Sequence, residues 1–197
     1  MLTREGSIME KSDLKRFINP EVLFGERIVL RKMTTKDIDD VFEYASDPRV
    51  SQYLLWCPHK SREFTKKYLS FIDRKYKKAE FYDYAIEYKG KMIGTCGFTS
   101  FSIENGCGEI GFVLNPSYWG MGIAKEAAEL VIKYGFEVLG LNRIEARYMA
   151  ENRQSGRVME KCNMKFEGVL RSQLLVKGTY RDIGIYSILR SEYFAEK

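Results

Sequence analysis

The stretch NPSYWGMGIAKEA, from Asn115 to Ala127, places two glycines one residue apart at the point where a proline turn gives way to helix-forming composition. A helix start leaves its first backbone N–H groups without partners, and the helix dipole favours negative charge there. Gly120 and Gly122 let that backbone approach an anion with no Cβ in the way. The stretch therefore reads as a cradle for a phosphate or pyrophosphate. A blander reading of the same residues is relief of crowding at a tight strand-to-helix turn. Two nucleotide fingerprints do not apply. GCGEIG, Gly106 to Gly111, has GxGxxG spacing but sits on a hairpin turn entering a strand, whereas the dinucleotide motif needs a helix after it. GMGIAKE also lacks a third glycine at that spacing and the GK[ST] ending of a P-loop.

Other chemistries find little support. The sole histidine, His59, has no Ser or Cys partner pattern, so a catalytic triad is not indicated. Cys57 and His59 together fall short of the three or four ligands of a zinc site, and no metal is expected. The four cysteines lie far apart with no CxxC spacing, which suits a reducing, cytoplasmic setting. The start of the chain has no signal-peptide run, and nowhere does it offer about 18 apolar residues for a membrane span. A net charge of +5, from 32 basic and 27 acidic residues, is mild for a nucleic-acid binder but compatible with an anionic ligand. No nucleic-acid reading motif accompanies it.

These residues need elements to position them. With 197 residues, 45% of them apolar, and no linker or repeat, the chain is expected to form one domain over 1–197, with 1–20 loosely attached. RIVLRKM alternates as a half-buried strand. A helix follows, capped by Thr34 or Thr35, with Ile38, Val41, Phe42 and Ala45 on one face and an end just before Pro48. A second helix is predicted from Ser61 to about Lys78; its basic face is either a solvated surface or a platform for an acidic partner. From about residue 81 the period becomes two, through YDYAIEY, KMIGTCGFTSF and GEIGFVL, with a hairpin at Asn105-Gly106. A helix from about Met121 to Leu139, the strand RIEARYM, a short helix in NRQSGRVMEKC and two strands turning at Lys177-Gly178 complete the chain. The predicted fold is α+β, with a mixed, mostly antiparallel sheet of about seven strands flanked by four helices.

This arrangement resembles the GNAT family of acetyl-CoA-dependent N-acetyltransferases, and within it the branch of the ribosomal-protein-alanine N-acetyltransferases. The resemblance covers nearly the whole chain and rests on GEIGFVLNPSYWGMGIAKEAAELVIKYGFEVLGLNRIEARYMAENRQSGRVMEKCNM, YLLWCPHKS and GTYRDIGIYSIL. It implies acetyl-CoA as co-substrate, with the pyrophosphate on a [QR]xxGx[GA] loop that aligns with Trp119, Gly120, Met121, Gly122, Ile123 and Ala124. Trp119 departs from the Gln/Arg of the pattern. The resemblance also implies backbone pairing of Phe112, Val113 and Leu114 with the pantetheine arm, and contact with it from Asn152 and Ser155, the family's NxxS. Asn152 equally suits a helix cap, and the two roles are compatible.

An amine must lose a proton to attack a thioester, and α-amino and lysine groups are mostly protonated at neutral pH. Several family members place a general base where Glu109 stands, so the resemblance assigns that role to Glu109; an exposed strand-end glutamate is the other reading. The tyrosine acid of many relatives is replaced by Met159, leaving Ser155 as its nearest substitute. A thiolate leaves without much help from an acid, and the oxyanion falls to a backbone N–H near Val113. Trp56, His59, Tyr82 and Tyr84 are candidate walls of the acceptor site, with core packing the alternative. The implied acceptor is a protein N-terminal amine; a polyamine, aminoglycoside or amino-acid derivative is a second class, and a non-catalytic CoA-binding sensor a third reading. No membrane partner is expected, and the oligomer is a monomer or homodimer.

Overall fold

A computed structural model describes residues 21–77, 82–102 and 104–195; the expected loose segment 1–20 and the side chain of Tyr82 lie outside the described residues. The strands are β1 (Leu23–Phe24), β2 (Ile28–Arg31), β3 (Tyr82–Tyr88), β4 (Lys91–Ser102), β5 (Cys107–Leu114), β6 (Arg143–Met149), β7 (Lys165–Val176) and β8 (Thr179–Leu189). The helices are α1 (Ile38–Ala45), α2 (Pro48–Ser51), α3 (Arg62–Tyr76), α4 (Ile123–Glu137), α5 (Arg153–Lys161) and α6 (Arg190–Ala195). The strands form one sheet in the order β1-β2-β3-β4-β5-β6-β8-β7. Only β5 and β6 pair in parallel, as the crossover through α4 requires.

The predicted elements are present, and the sheet has one strand more and the described residues two helices more than expected. The additions are short: β1 has two residues, α2 four and α6 six. The end expected just before Pro48 is met, with α1 closing at Ala45, and a short helix restarts at once because Asp47 accepts from the Arg49 N–H and Pro48 fills the first turn of α2, where its missing N–H costs nothing. Thr34 forms a capping box with Asp37 over a 3-10 turn that leads into α1. Ser61 caps α3.

Each face of the sheet is packed differently. The main core lies under α4 and α5, where Tyr84, Ile86, Cys96, Phe98, Ile110, Ile144 and Ala146 meet Ile123, Ala127, Val131 and Met159. On the opposite face α1, α2 and α3 cover the N-terminal strands, burying Val41, Tyr44, Leu69, Ile72 and Tyr76 against Ala85 and Met92. No helix covers that face over β7, most of whose residues are exposed.

β5 and β6 pair from Cys107↔Arg143 to Ile110↔Ala146 and then part. The parting has a local cause. The β4–β5 register shifts between Phe98 and Ser100, a bulge opposite Glu109 and Ile110, and a bulge adds twist that swings β5 away from its neighbour. Beyond Ile110 and Ala146, two strand edges face each other across a gap.

Candidate active site

The head of α4 stands at one end of this gap. Gly120 and Gly122 both have φ of 78°, a left-handed conformation that strains any residue with a Cβ. Space above Gly120 is open, and a Cβ on Gly122 would meet only Arg27 Nη2, at 3.5 Å. The crowding-relief reading thus has little to relieve. Among the described residues, no protein acceptor takes the N–H groups of Gly120, Met121, Gly122, Ile123 or Ala124. Five successive amides at a helix N-terminus are what an anion needs.

Arg27 was not singled out from the sequence. Its Nη1 donates to the Met121 carbonyl at 2.8 Å and its Nε to Glu126 at 2.8 Å, so the guanidinium pins the glycine loop to the first turn of α4. The partners are 99 residues apart, beyond the reach of local spacing. Arg27→Ala is expected to weaken coenzyme binding several-fold and to cost about 1 kcal/mol of stability; calorimetric titration with coenzyme A and a thermal melt check both.

Along the gap, Trp119 Nε1 donates to the Leu114 carbonyl at 2.8 Å. The indole that replaces the Gln/Arg of the loop pattern thereby ties the loop to the end of β5. It also occupies the Leu114 acceptor of the expected pantetheine segment; the Val113 carbonyl faces β4 at Gly94, which leaves Phe112 as the position whose backbone faces the gap. Across the gap Asn152 caps α5: its Oδ1 accepts from the Ser155 N–H at 3.4 Å and its Nδ2 donates to Ser155 Oγ at 2.9 Å. The capping role of Asn152 is met, and Ser155 is held by it. Met159 is buried in the core and does not stand in for a tyrosine acid.

Glu109 sits one residue before the strands part, on the face away from α4, since its neighbour Ile110 belongs to the main core. Its carboxylate lies 3.4 Å from Arg147 Nε, and Arg147 also binds Glu145 at 2.9 Å. Burial pushes the Glu109 carboxyl above its ordinary range; Arg147 opposes the shift and Glu145 adds to it. A carboxylate with a raised pKa at the apex of the gap is suited to accept a proton.

The candidate wall residues divide. His59 is buried; its Nδ1 is 2.9 Å from Thr65 Oγ1, and its ring packs against Trp56, Phe64 and Tyr68. Burial lowers its pKa, favouring the neutral imidazole. Trp56 is half-buried against the second core. Tyr84 points the other way: it is 1% exposed, in the main core beside Cys96 and Phe98, and does not line the acceptor side. The residue that faces that side is its neighbour Asp83.

Asp83 lies on the same face as Ala85, under α1 and α3. Burial raises its carboxyl to about 7, partly offset by hydrogen bonds from Thr95 and the Tyr84 N–H. The sign follows directly. A carboxyl with a pKa near 3.9 in the unfolded chain and about 7 in the folded one leaves stability undiminished below pH 4 and progressively lower from there to pH 7. Since the residue is partly reached by solvent, the full shift overstates the loss. Asp83→Asn should stabilise the protein by about 2 kcal/mol at pH 8 and by nothing at pH 4, measured by denaturant unfolding.

The face bearing Asp83 and Glu109 is closed over by distant parts of the chain. Lys177 Nζ, at the β7–β8 turn, donates to the Ser51 carbonyl of α2 at 2.6 Å, and Tyr53 packs against Met149, Val176 and Ile183. The parted halves of the sheet are rejoined on this side by that contact.

Comparison with known proteins agrees with this geometry. The family model for the acetyltransferase (GNAT) domain matches residues 27–165. The uncharacterized N-acetyltransferase p20 of Bacillus licheniformis is 37% identical over 88% of this chain and 98% of its own length. The uncharacterized N-acetyltransferase YoaA of Bacillus subtilis strain 168 is 31% identical over 86% and 97% respectively. The crystal structure of a GNAT-family acetyltransferase from Bacillus anthracis superimposes with a TM-score of 0.78 at 32% identity, covering 87% of this chain and all of that one.

Proposed function

We propose, from the premise that this chain belongs to the GNAT acetyltransferase family, that it moves the acetyl group of acetyl-CoA to a small cationic amine by direct attack. The N-acetyltransferase chemistry belongs to the family; the acceptor is our inference. The observation that carries the coenzyme reading is the row of unpartnered amides from Gly120 to Ala124 beside two parted strands. They suit a pyrophosphate and an extended polar arm.

When bound, acetyl-CoA supplies a thioester carbonyl whose C–S bond breaks as the C–N bond to the amine forms. The chain's residues do the rest. The amides of Gly120 to Ala124 hold the diphosphate, and Arg27 keeps their loop in register. Phe112 offers its backbone groups to the arm, and a β5 N–H next to Val113 steadies charge on the carbonyl oxygen. Glu109 takes the proton that the ammonium must lose, and burial, by raising its pKa above the ordinary carboxylate value, makes it a stronger base than a free glutamate. The thiolate, with a free-thiol pKa of about 8.5, departs without an acid.

The closure of the acceptor face by Lys177 and Tyr53 favours a small acceptor over a chain end. A protein N-terminal amine is the second reading, favoured by the exposed apolar side chains Val169, Leu170, Leu175 and Tyr180 on the β7–β8 hairpin. Mass spectrometry of an amine and peptide panel incubated with the protein and acetyl-CoA tests both. Acetylated small amines support the first reading, acetylated peptide N-termini alone replace it with the second, and coenzyme binding without turnover makes the chain a sensor.

A further inference from the structure

The half-buried carboxylate of Asp83 plays no part in the transfer chemistry above. It sits among buried tyrosines: Tyr76 donates its hydroxyl to the Asp83 carbonyl at 2.6 Å, and Tyr44 and Tyr68 lie close enough for the carboxylate to raise their pKa values. Its own oxygens receive hydrogen bonds from Thr95 and the Tyr84 N–H, neither of which carries a charge, and no cation among the described residues pairs with it. A carboxylate withdrawn from water is costly unless a cation meets it. On the opposite half of the same face, Glu109 and Glu145 have their cation in Arg147. Asp83 has none of its own.

The sheet shows where such a cation would enter. Asp83 pairs with Gly97, and Gly97 with Gly111, so the three lie in one row across β3, β4 and β5. The two glycines put no side chain between the carboxylate and the point where β5 leaves β6. The Thr99 methyl, 3.0 Å from where a Cβ of Gly111 would stand, borders the row. Two strand spacings span about 10 Å. Subtracting the roughly 3 Å of a charged hydrogen bond leaves about 7 Å between a cation on Asp83 and a nitrogen at the apex of the gap. Half-buried Tyr68 lies near Asp83, and it and Trp56 pack against the same core; such rings accept cations on their faces.

We propose that Asp83 is the acceptor-anchoring residue: its carboxylate holds a second positive charge of the acceptor, about 7 Å from the nitrogen that is acetylated. The substrate class is then a primary amine with a further ammonium four or five methylenes away, which span about 6 to 8 Å when extended. This proposal rests on the acetyl-transfer reading for its catalytic arm, but its binding arm does not.

Three measurements on the full chain test it. In steady-state turnover with acetyl-CoA, 1,4-diaminobutane and 1,5-diaminopentane should exceed butylamine in kcat/KM by about 30-fold or more, with shorter and longer diamines falling away. In Asp83→Asn the diamine-to-monoamine ratio should fall toward one, through KM rather than kcat. A merely structural role for Asp83 would move all amines together. By calorimetry, 1,5-diaminopentane should bind the coenzyme A complex at least ten times more weakly in Asp83→Asn. Equal kcat/KM for monoamine and diamines in the unaltered protein, or a ratio unchanged by Asp83→Asn, overturns the proposal. If no amine is turned over, the transfer reading fails, and the calorimetric comparison still decides Asp83: equal binding to both proteins, or none to either, sinks it. The chain-length series on the unaltered protein remains decisive should Asp83→Asn not fold.

Discussion

Gly122→Ala is expected to weaken coenzyme A binding by about 100-fold while leaving the fold in place. With φ of 78°, residue 122 lies where a Cβ costs about 1–2 kcal/mol, and the backbone escapes that strain by rotating. Rotation re-aims the neighbouring N–H groups of Gly122 and Ile123 at the head of α4. Because those amides have no protein acceptor among the described residues, the re-aimed N–H groups lose no bond inside the molecule, and the loss falls on the ligand. A displacement of about 1 Å in a positioned group is enough for two orders of magnitude. Titration calorimetry with coenzyme A reads the affinity and a thermal melt reads the strain. Unaltered affinity in a variant that has lost about 1 kcal/mol of stability would mean that the cradle is not where the diphosphate sits.

Glu109→Gln should lower kcat by about 100-fold or more at neutral pH with coenzyme affinity unchanged. The sign of the pH dependence follows from the raised pKa. Glu109 must be deprotonated to accept the ammonium's proton, so the rate of the unaltered protein falls as pH drops through that raised pKa. Glutamine has no such titration, and the acid limb of the kcat profile should vanish with it. Arg147→Ala moves the same limb in the other direction. Removing the cation 3.4 Å away leaves burial and Glu145, both of which push Glu109 upward, so the limb shifts to higher pH. A profile identical in all three proteins would remove Glu109 from the proton path.

The sequence is most legible where structure is dictated locally. The hairpin at Asn105-Gly106, the turn at Lys177-Gly178 and the glycines ahead of α4 each need backbone conformations that few residues adopt, and φ values of 60° at Gly106, 50° at Lys177 and 81° at Gly178 bear them out. Asn163, at φ 58°, takes the left-handed cap position after α5. Less legible is anything that depends on which face a strand residue presents. Tyr84 reads as a candidate wall with core packing the alternative, and Asp83 is not singled out. In β3 the faces are the reverse, because a single step along a strand exchanges them. Nothing in YDYAIEY says that α1 and α3 will cover the acidic side as well. Contacts between remote segments are invisible for a different reason. Arg27 with Glu126 and Lys177 with Ser51 are held together only by the completed sheet, and no spacing within the chain announces them.

The bond from Lys177 to Ser51 joins residues 126 apart in the chain. Loop closure over such a span is entropically costly, so this side of the proposed acceptor site is expected to close late in folding. A nascent chain that has already built β2 to β5 and the α4 crossover could grip its coenzyme before it has a wall against which to choose an acceptor. On the proposed reading, fraying of the final hairpin is expected to cost acceptor selectivity before coenzyme affinity.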